Sequence, residues 1–320
     1  MKIFSKAYFK HTWKILVATM MAFIDDNGLK LSASLAYYTI FSLAPLLIII
    51  ISIAGLVWGH DAATHQLYPR MAGYIGSGAA LQIEGVLNKL QVSGKSGTAV
   101  TVGVMVLFLG ASSIFLEIQD SLNIIWRVKA KPKRGWLKLI QNRFLSFSLI
   151  IGLGFLLLVT LLVNFVVTAL GNWIERLLPI TKLLFKVVNL GISFMVIATL
   201  FGIIFKFLPD VKIRWRDVRS GAFFTAVLFT VGQYAINLYI QYAAKSSTYM
   251  AVGSILVILV WIYYTSAILY IGAEYTQVYA EAIGSRIQPA EYAVSIKQTE
   301  IEREVDELPP QHPEVRKVSD

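Results

Sequence analysis

The chain of 320 residues contains no cysteine, which excludes disulfides, thiolate metal sites and a cysteine nucleophile. Charge is scarce as well, since Asp, Glu, Lys and Arg make up 15% of the residues against 56% that are hydrophobic. The mean hydropathy is +0.64. A soluble domain of this length needs more polar surface, so the composition indicates a membrane protein.

Motifs of the common enzyme classes are also missing. The four histidines are scattered along the chain without the spacing of a metal site: His11, His60, His65 and His312. There is no GxSxG motif and no GxxxxGK[ST] loop. We therefore expect no catalytic residues, no metal site and no cofactor, and a protein that is not an enzyme. An intramembrane carboxylate pair acting as acid and base is the enzymatic alternative that stays open.

Long apolar stretches are what the sequence has instead of charge. About 20 apolar residues are needed to cross roughly 30 Å of hydrocarbon, and six stretches meet that length. They are residues 31–58, 98–118, 144–170, 183–205, 221–244 and 250–272. The sequence thus predicts an all-α, polytopic membrane protein. Its membrane domain of six transmembrane helices covers residues 31–282, with an external loop at 59–97.

The basic residues fall mainly on one side of this six-span arrangement. Of the 29 Lys and Arg residues, 22 lie in the N-terminal segment, the loops after spans two and four, and the C-terminal tail. Cytoplasmic loops of membrane proteins are enriched in Lys and Arg, so both termini are predicted to be cytoplasmic. The net charge of +10 then faces anionic lipid headgroups. Because the basic residues are spread over every inward loop, we expect no nucleic-acid partner.

Two segments flank the predicted membrane domain. Residues 1–30 are predicted to form a cytoplasmic amphipathic helix. Lysines recur every four residues beside an apolar face made of Phe9, Trp13, Leu16, Val17, Met20 and Ile24. This helix either lies on the membrane surface or packs on the bundle. Residues 283–320 are charged and contain prolines, so they are predicted to be a disordered cytoplasmic tail.

Polar residues inside the predicted spans are candidate functional residues, because an ionisable group in a membrane costs roughly 2.5–3.5 kcal/mol. Most of them map near the cytoplasmic ends of the spans, and a polar stripe on span five continues outward. The residues predicted to line a cavity are Ser34, Tyr38, Ser42, Pro45, Glu117, Asp120, Asn123, Lys206, Gln233, Asn237, Tyr263, Tyr270 and Glu274. Alternatively, these side chains only hydrogen-bond neighbouring helices. Glu117 and Glu274 have a third interpretation, in which they only extend to the interface or pair with Lys206 or Arg127. Pro45 also predicts a kink in span one, because it lacks an N–H.

Four segments of the chain together resemble a known family. They are SLAYYTIFSLAPLL in span one, SLNIIWRVK after span two, a loop with Pro209 and Arg216 before Gly221-Ala222, and VGSILVILVWIYYTSAILYIGAEYT in span six. The family is the YihY/BrkB family of bacterial inner-membrane proteins, and the resemblance runs from residue 20 to residue 282. Val252 departs from the pattern, which favours an aromatic residue there.

The resemblance implies a polytopic protein of the bacterial inner membrane, associated with the envelope and with movement of lipid or lipopolysaccharide. A ribonuclease label once attached to the family is disfavoured here. A ribonuclease needs a metal cluster or an acid–base pair in a soluble groove, and the inward loops are too short to fold into one.

The leading functional hypothesis is a transporter or flippase-like factor for a lipid or another amphiphilic envelope component. Its predicted partners are anionic membrane lipids, whose headgroups would be bound by Arg127, Lys129, Arg214 and Arg216. One rival is a structural or scaffolding membrane protein that serves envelope integrity through its external loop and tail. A second rival is an intramembrane enzyme. The sequence predicts no oligomeric state.

Overall fold

The computed structural model describes residues 6–42, 113–131, 181–243 and 250–297, and this part of the chain is mostly helical. The helices are α1 at Lys6–Asp25, α2 described at 28–42, α3 described at 113–125, α4 at Thr181–Phe207, α5 at Trp215–Ala243 and α6 at Met250–Ala282. Four short strands follow or precede them: β1 at Val128–Ala130, β2 at Val211–Lys212, β3 at Gln288–Pro289 and β4 at Ala293–Ser295.

The long helices coincide with predicted spans. Among the described helices, α4 contains a segment long and apolar enough to cross a membrane, Leu190–Phe207, with a mean hydropathy of 2.1. The predicted span 183–205 lies within α4, and the predicted span 250–272 lies within α6. The first and second spans lie partly outside the described residues, and the third span, the external loop and Pro45 lie wholly outside them. The six-span bundle therefore stays a prediction.

The N-terminal segment does not continue as one helix to residue 30, as the sequence had predicted. α1 ends at Asp25, and Asn27 has a φ of 56°, a left-handed conformation that Asn tolerates better than most residues. The carbonyl of Asn27 then accepts hydrogen bonds from the N–H groups of Lys30 and Leu31 and so begins α2. The predicted boundary is wrong because this turn interrupts the helix.

α1 packs along α6. This agrees with the interpretation in which the N-terminal helix packs on the other helices. The packed face consists of the buried side chains of Ile15, Thr19 and Phe23. The predicted apolar face points away from the bundle, where Trp13 is 61% and Ile24 69% exposed. The helix therefore has apolar side chains on two opposite faces, one packed and one exposed.

α5 and α6 lie antiparallel and approach each other closely at two reciprocal glycine–threonine pairs. A Cβ atom on Gly221 would overlap the side chain of Thr276, and one on Gly272 would overlap that of Thr225. Each threonine hydroxyl donates to the carbonyl of the glycine four residues earlier in its own helix, at 2.7 Å. The glycines thus give the threonines room, and the two backbones can pack tightly.

Two antiparallel two-stranded sheets lie at one end of the helices. β1 pairs with β4, with Lys129 opposite Val294, and β2 pairs with β3. Residues 283–297 are therefore folded, and the prediction of a disordered tail is wrong for them. The composition of this segment did not predict the strands, because their hydrogen-bonding partners are backbone groups from far earlier in the chain. Residues 298–320 lie outside the described part.

The hydrophobic core of the described part lies at the same end of the helices. Its fully buried side chains include Leu122 and Ile125 of α3, Phe205 of α4 and Val218 of α5. Trp126 packs its ring against Phe205, and its Nε1 donates to the carbonyl of Ala273 on α6 at 3.1 Å. This core fixes the ends of four helices relative to one another and so positions the polar groups described next.

Candidate functional site

Four acidic side chains are buried at this end of the bundle, each at a junction between elements. They are Asp26, Asp210, Asp217 and Glu274. Burying a carboxylate is unfavourable unless hydrogen bonds or an opposite charge compensate it. The partners of the four acids therefore define the candidate site.

Asp26 and Glu274 bring the turn between α1 and α2 against α6. Asp26 pairs with Arg127, whose Nη2 lies 2.5 Å from Oδ1 of Asp26. Glu274 of α6 is fully buried. Among the described residues, no group donates a hydrogen bond to either Glu274 oxygen. Burial raises the pKa of Asp26, an effect that the Arg127 guanidinium partly offsets.

Asp210 joins the loop after α4 to α3. Its carboxylate accepts hydrogen bonds from Nε2 of Gln119 at 3.2 Å and from Nδ2 of Asn123 at 2.9 Å. Its backbone N–H donates to Oδ1 of Asn123 at 2.9 Å, and its carbonyl accepts from the N–H of Ala290 at 3.0 Å. Burial and the Asp210 carboxylate raise the pKa of nearby Tyr292. One acid thus connects three parts of the chain.

Asp217, in the first turn of α5, fixes the segment that follows α6. Its Oδ2 accepts hydrogen bonds from the hydroxyl of Ser285 at 2.7 Å and from its N–H at 3.2 Å. The negative charge also suits the N-terminus of α5. Nearby, Nη2 of Arg216 donates to the carbonyl of Ile283 at 3.2 Å. A cavity of about 80 Å³ lies here, lined by Arg214, Arg216, Gly284 and Ser285.

Aromatic and basic side chains surround the point where α4 ends and α5 begins. The rings of Trp215 and Phe207 lie 5.9 Å apart, and both side chains are about half exposed. Nζ of Lys206 lies 5.8 Å from the centre of the Trp215 ring and donates to the carbonyl of Ile213. Trp, Lys and Arg at the end of an apolar helix are typical of a membrane–water interface.

The structure distributes the predicted cavity-lining residues over different surroundings. Asn123 and Glu274 belong to the buried polar groups, and Tyr270, one turn before Glu274 on α6, is fully buried as well. Asp120 and Gln233 are exposed, whereas Ser34, Glu117, Lys206 and Tyr263 are half-buried. Pro45 and the side chain of Asn237 lie outside what the structure describes.

Among the cavity-lining residues predicted on span one, Ser42 is satisfied within its own helix. The hydroxyl of Ser42 donates to the carbonyl of Tyr38 at 2.9 Å, and that of Ser32 donates to the carbonyl of Gly28 at 2.6 Å. Tyr38 is exposed and stacks its ring edge against Tyr37. For Ser42, neither a cavity nor a bond to a neighbouring helix is needed to explain the hydroxyl.

The four residues predicted to bind a headgroup also lie in different surroundings. Arg127 is paired with Asp26, and Lys129 is exposed on β1. Arg214 and Arg216 share the small cavity at the start of α5. Of the predicted set, the structure therefore brings these two arginines together. Within the described segments, no group of His, Asp and Glu residues is arranged to hold a metal ion.

Sequence reasoning did not single out Asp26, Asp210 or Asp217. A signal was present, because the chain has only 19 acidic residues and each of these three stands at a helix boundary. Asp26 follows the apolar run of α1, Asp210 follows Pro209, and Asp217 precedes the apolar run of α5. An isolated acidic residue next to a long apolar segment is therefore a candidate for a buried side chain that connects two elements.

The apolar segment of α4, the exposed apolar face of α1 and the aromatic–basic cluster at Trp215 together describe a helical membrane protein. The family model for virulence factor BrkB matches residues 19–296, and the chain belongs to this family. The resemblance found in the sequence is thereby confirmed. The match extends past α6 and includes β3 and β4, the strands that composition alone had assigned to a disordered tail.

Similar proteins carry the name UPF0761 membrane protein. One from Verminephrobacter eiseniae is 29% identical over 275 residues, which is 82% of this chain and 62% of the relative. One from Stenotrophomonas maltophilia strain K279a is 26% identical over 279 residues, 84% of this chain and 61% of the relative. The chain thus spans about three fifths of the length of these relatives. No solved structure matches the chain.

Proposed function

We propose that the protein is a transporter or flippase-like factor for a lipid or another amphiphilic envelope component, with a headgroup site at Arg214 and Arg216. The proposal rests on the cavity that these arginines share with Gly284 and Ser285. The volume of this cavity is about 80 Å³. That is room for one small anionic group and not for a whole lipid.

The surroundings of the cavity suit the rest of an amphiphile. Trp215 stands between the two arginines in the sequence, and Phe207, Trp215 and Phe223 are exposed along α4 and α5. Two guanidinium groups recognise a phosphate or carboxylate, while the exposed aromatic rings offer apolar surface to the chains attached to it. A headgroup site bordered by apolar surface is what a lipid-handling protein requires.

In this proposal the protein lies in the bacterial inner membrane with both termini in the cytoplasm. It binds anionic membrane lipids, uses no catalytic residue and no cofactor, and has no nucleic-acid partner. The concentration of Lys and Arg on one side of the predicted spans supports this orientation.

The proposal is tested with the purified protein in vesicles that contain fluorescent lipids, by measuring how fast each lipid changes leaflet. We expect the protein to accelerate an anionic lipid more than a zwitterionic one. Arg214→Gln should reduce that acceleration at least about tenfold, the loss expected for one charge-assisted hydrogen bond. Arg219→Gln is the matched control, because Arg219 is an exposed arginine of α5 that does not line the cavity.

Equal effects of the two substitutions would show that only net charge matters and would reject the headgroup site. If the protein does not accelerate the movement of any lipid between leaflets, the proposed transport activity is rejected.

A scaffolding role is the second candidate, and the paired strands favour it. Beside β2 and β3, Nζ of Lys212 lies 2.8 Å from Oε1 of Glu291, and both side chains are exposed. On this alternative, removing residues 298–320 abolishes the function, whereas a transporter with intact β3 and β4 keeps its activity.

A further inference from the structure

Ser285 adds a hydroxyl to the cavity at the start of α5, beside the guanidinium groups of Arg214 and Arg216. A guanidinium can only donate hydrogen bonds, because it carries N–H groups and has no acceptor. A serine hydroxyl has one hydrogen to donate and lone pairs that accept. What Ser285 offers to a bound molecule therefore depends on where its hydrogen is already committed.

The hydrogen of the Ser285 hydroxyl is donated to Asp217. Oγ of Ser285 lies 2.7 Å from Oδ2 of Asp217, and the N–H of Ser285 donates to the same Oδ2 at 3.2 Å. Asp217 is buried, and no donor among the described residues reaches its other oxygen, Oδ1. Turning the hydroxyl towards the cavity would leave this buried carboxylate with a single hydrogen bond, which is unfavourable. Ser285 therefore presents lone pairs to the cavity.

Gly284 allows Asp217 and Ser285 to keep this arrangement. A Cβ atom on Gly284 would lie 2.5 Å from Oδ1 of Asp217, too close for either atom to stay in place. The absence of a side chain thus lets the segment after α6 lie against the carboxylate. Nη2 of Arg216 holds the same segment by donating to the carbonyl of Ile283 at 3.2 Å. Contacts from α5 therefore fix this wall of the cavity.

A ligand that uses every group of this cavity must combine two features. It needs an anionic oxygen for Arg214 and Arg216, and an O–H or N–H group that donates to Oγ of Ser285. Two guanidinium groups and the one carboxylate of Asp217 leave a net positive charge, so an uncharged hydroxyl fits better than an ammonium group. We infer that the cavity selects phosphodiester lipids whose headgroup carries a free hydroxyl, and that Ser285 determines this specificity.

The inference rests on the proposed headgroup site and adds a choice among anionic lipids. The two arginines alone bind any anionic phosphodiester, whereas Ser285 distinguishes a headgroup with a hydroxyl from one without. Two lipids of equal charge are attracted equally by the basic surface of the protein. A difference between them therefore reports on the acceptor in the cavity.

The experiment measures the binding of two such lipids to the purified protein in detergent, by displacement of a fluorescent anionic lipid. Phosphatidylglycerol has free hydroxyls on its headgroup, and phosphatidylmethanol with the same acyl chains has the same charge and no hydroxyl. We expect the wild type to bind phosphatidylglycerol about fivefold more tightly, the effect of one hydrogen bond between neutral groups.

Substitutions of Ser285 identify the source of the preference. Ser285→Ala removes the acceptor, so its affinity for phosphatidylglycerol should fall to its affinity for phosphatidylmethanol. Ser285→Thr keeps a hydroxyl and should keep the preference. Ser295→Ala is the matched control, because Ser295 is exposed on β4 and does not line the cavity.

The possible failures of the inference and of the headgroup site give different results. Equal affinity of the wild type for the two lipids, or a preference that persists in Ser285→Ala, overturns the inference and leaves the headgroup site intact. If both lipids bind the wild type no more tightly than they bind Arg214→Gln, the headgroup site is rejected and the inference with it.

Discussion

At the scale of single residues, the buried acid Asp210 depends on side chains of α3, and Asn123 is the clearest example. It donates to the Asp210 carboxylate and accepts from the Asp210 N–H, both at 2.9 Å. Asn123→Leu would keep the volume but leave a buried carboxylate and an N–H short of partners. We expect a loss of about 2–4 kcal/mol of unfolding free energy, because unsatisfied buried charged groups are costly. Thermal unfolding in detergent measures it.

Gln233 provides the matched control for Asn123, since the sequence predicted that both amides line a cavity. Gln233 is exposed on α5, so Gln233→Leu removes no buried hydrogen bond. Its stability should change by less than about 0.5 kcal/mol. Equal destabilisation of the two variants would contradict the assignment of Asn123 to a structural junction.

At the scale of elements, the contact between α5 and α6 depends on the absence of a side chain at Gly221. Gly221→Ala places a Cβ where the side chain of Thr276 lies, so the helices must separate. We expect a destabilisation of about 1–3 kcal/mol, the usual cost of overpacking. Adding Thr276→Gly removes the overlap and should recover most of the loss, which a double-mutant cycle measures.

Gly191 is the control for Gly221, because a glycine-to-alanine substitution there adds a methyl group that contacts no neighbouring helix. A Cβ on Gly191 of α4 meets no atom within 4 Å. Gly191→Ala should therefore stabilise the protein slightly, by up to about 1 kcal/mol, because alanine favours the helix. Changes of the same sign at Gly191 and Gly221 would show that the α5–α6 contact is not as close as described.

Hydropathy could predict α4 and α6, because a long apolar run has few alternatives to a helix. It could not predict β3 and β4, which are only two and three residues long and pair with strands far away in sequence. Nor could it distinguish Asn123 from Gln233, since both are amides in predicted polar stripes and only packing separates them. The reciprocal contacts of Gly221 and Gly272 likewise depend on two helices at once. The sequence thus predicts elements that depend on local periodicity. It does not predict contacts between residues that are distant in the chain.

At the scale of the whole molecule, the described part is asymmetric from end to end. The paired strands, the buried acids and the aromatic–basic cluster at Trp215 lie at one end of the helices. At the other end, α5 and α6 are joined by the short segment 244–249. The described residues at the first end include several basic residues, among them Arg127, Lys129, Lys206, Lys212 and Arg214. Both distributions favour a cytoplasmic location for the end with the strands.

The absence of cysteine makes this orientation directly testable, because each introduced cysteine is then unique. Ser5→Cys and Ser319→Cys probe the termini, and Ser93→Cys and Ser246→Cys probe two predicted external loops. A membrane-impermeant maleimide should label the two loop positions in intact spheroplasts and the two terminal positions only in inverted vesicles. Labelling of a terminus from outside would reverse the orientation. If Ser246→Cys were labelled on the same side as Ser319→Cys, α6 would not cross the membrane, and the six-span arrangement would be wrong.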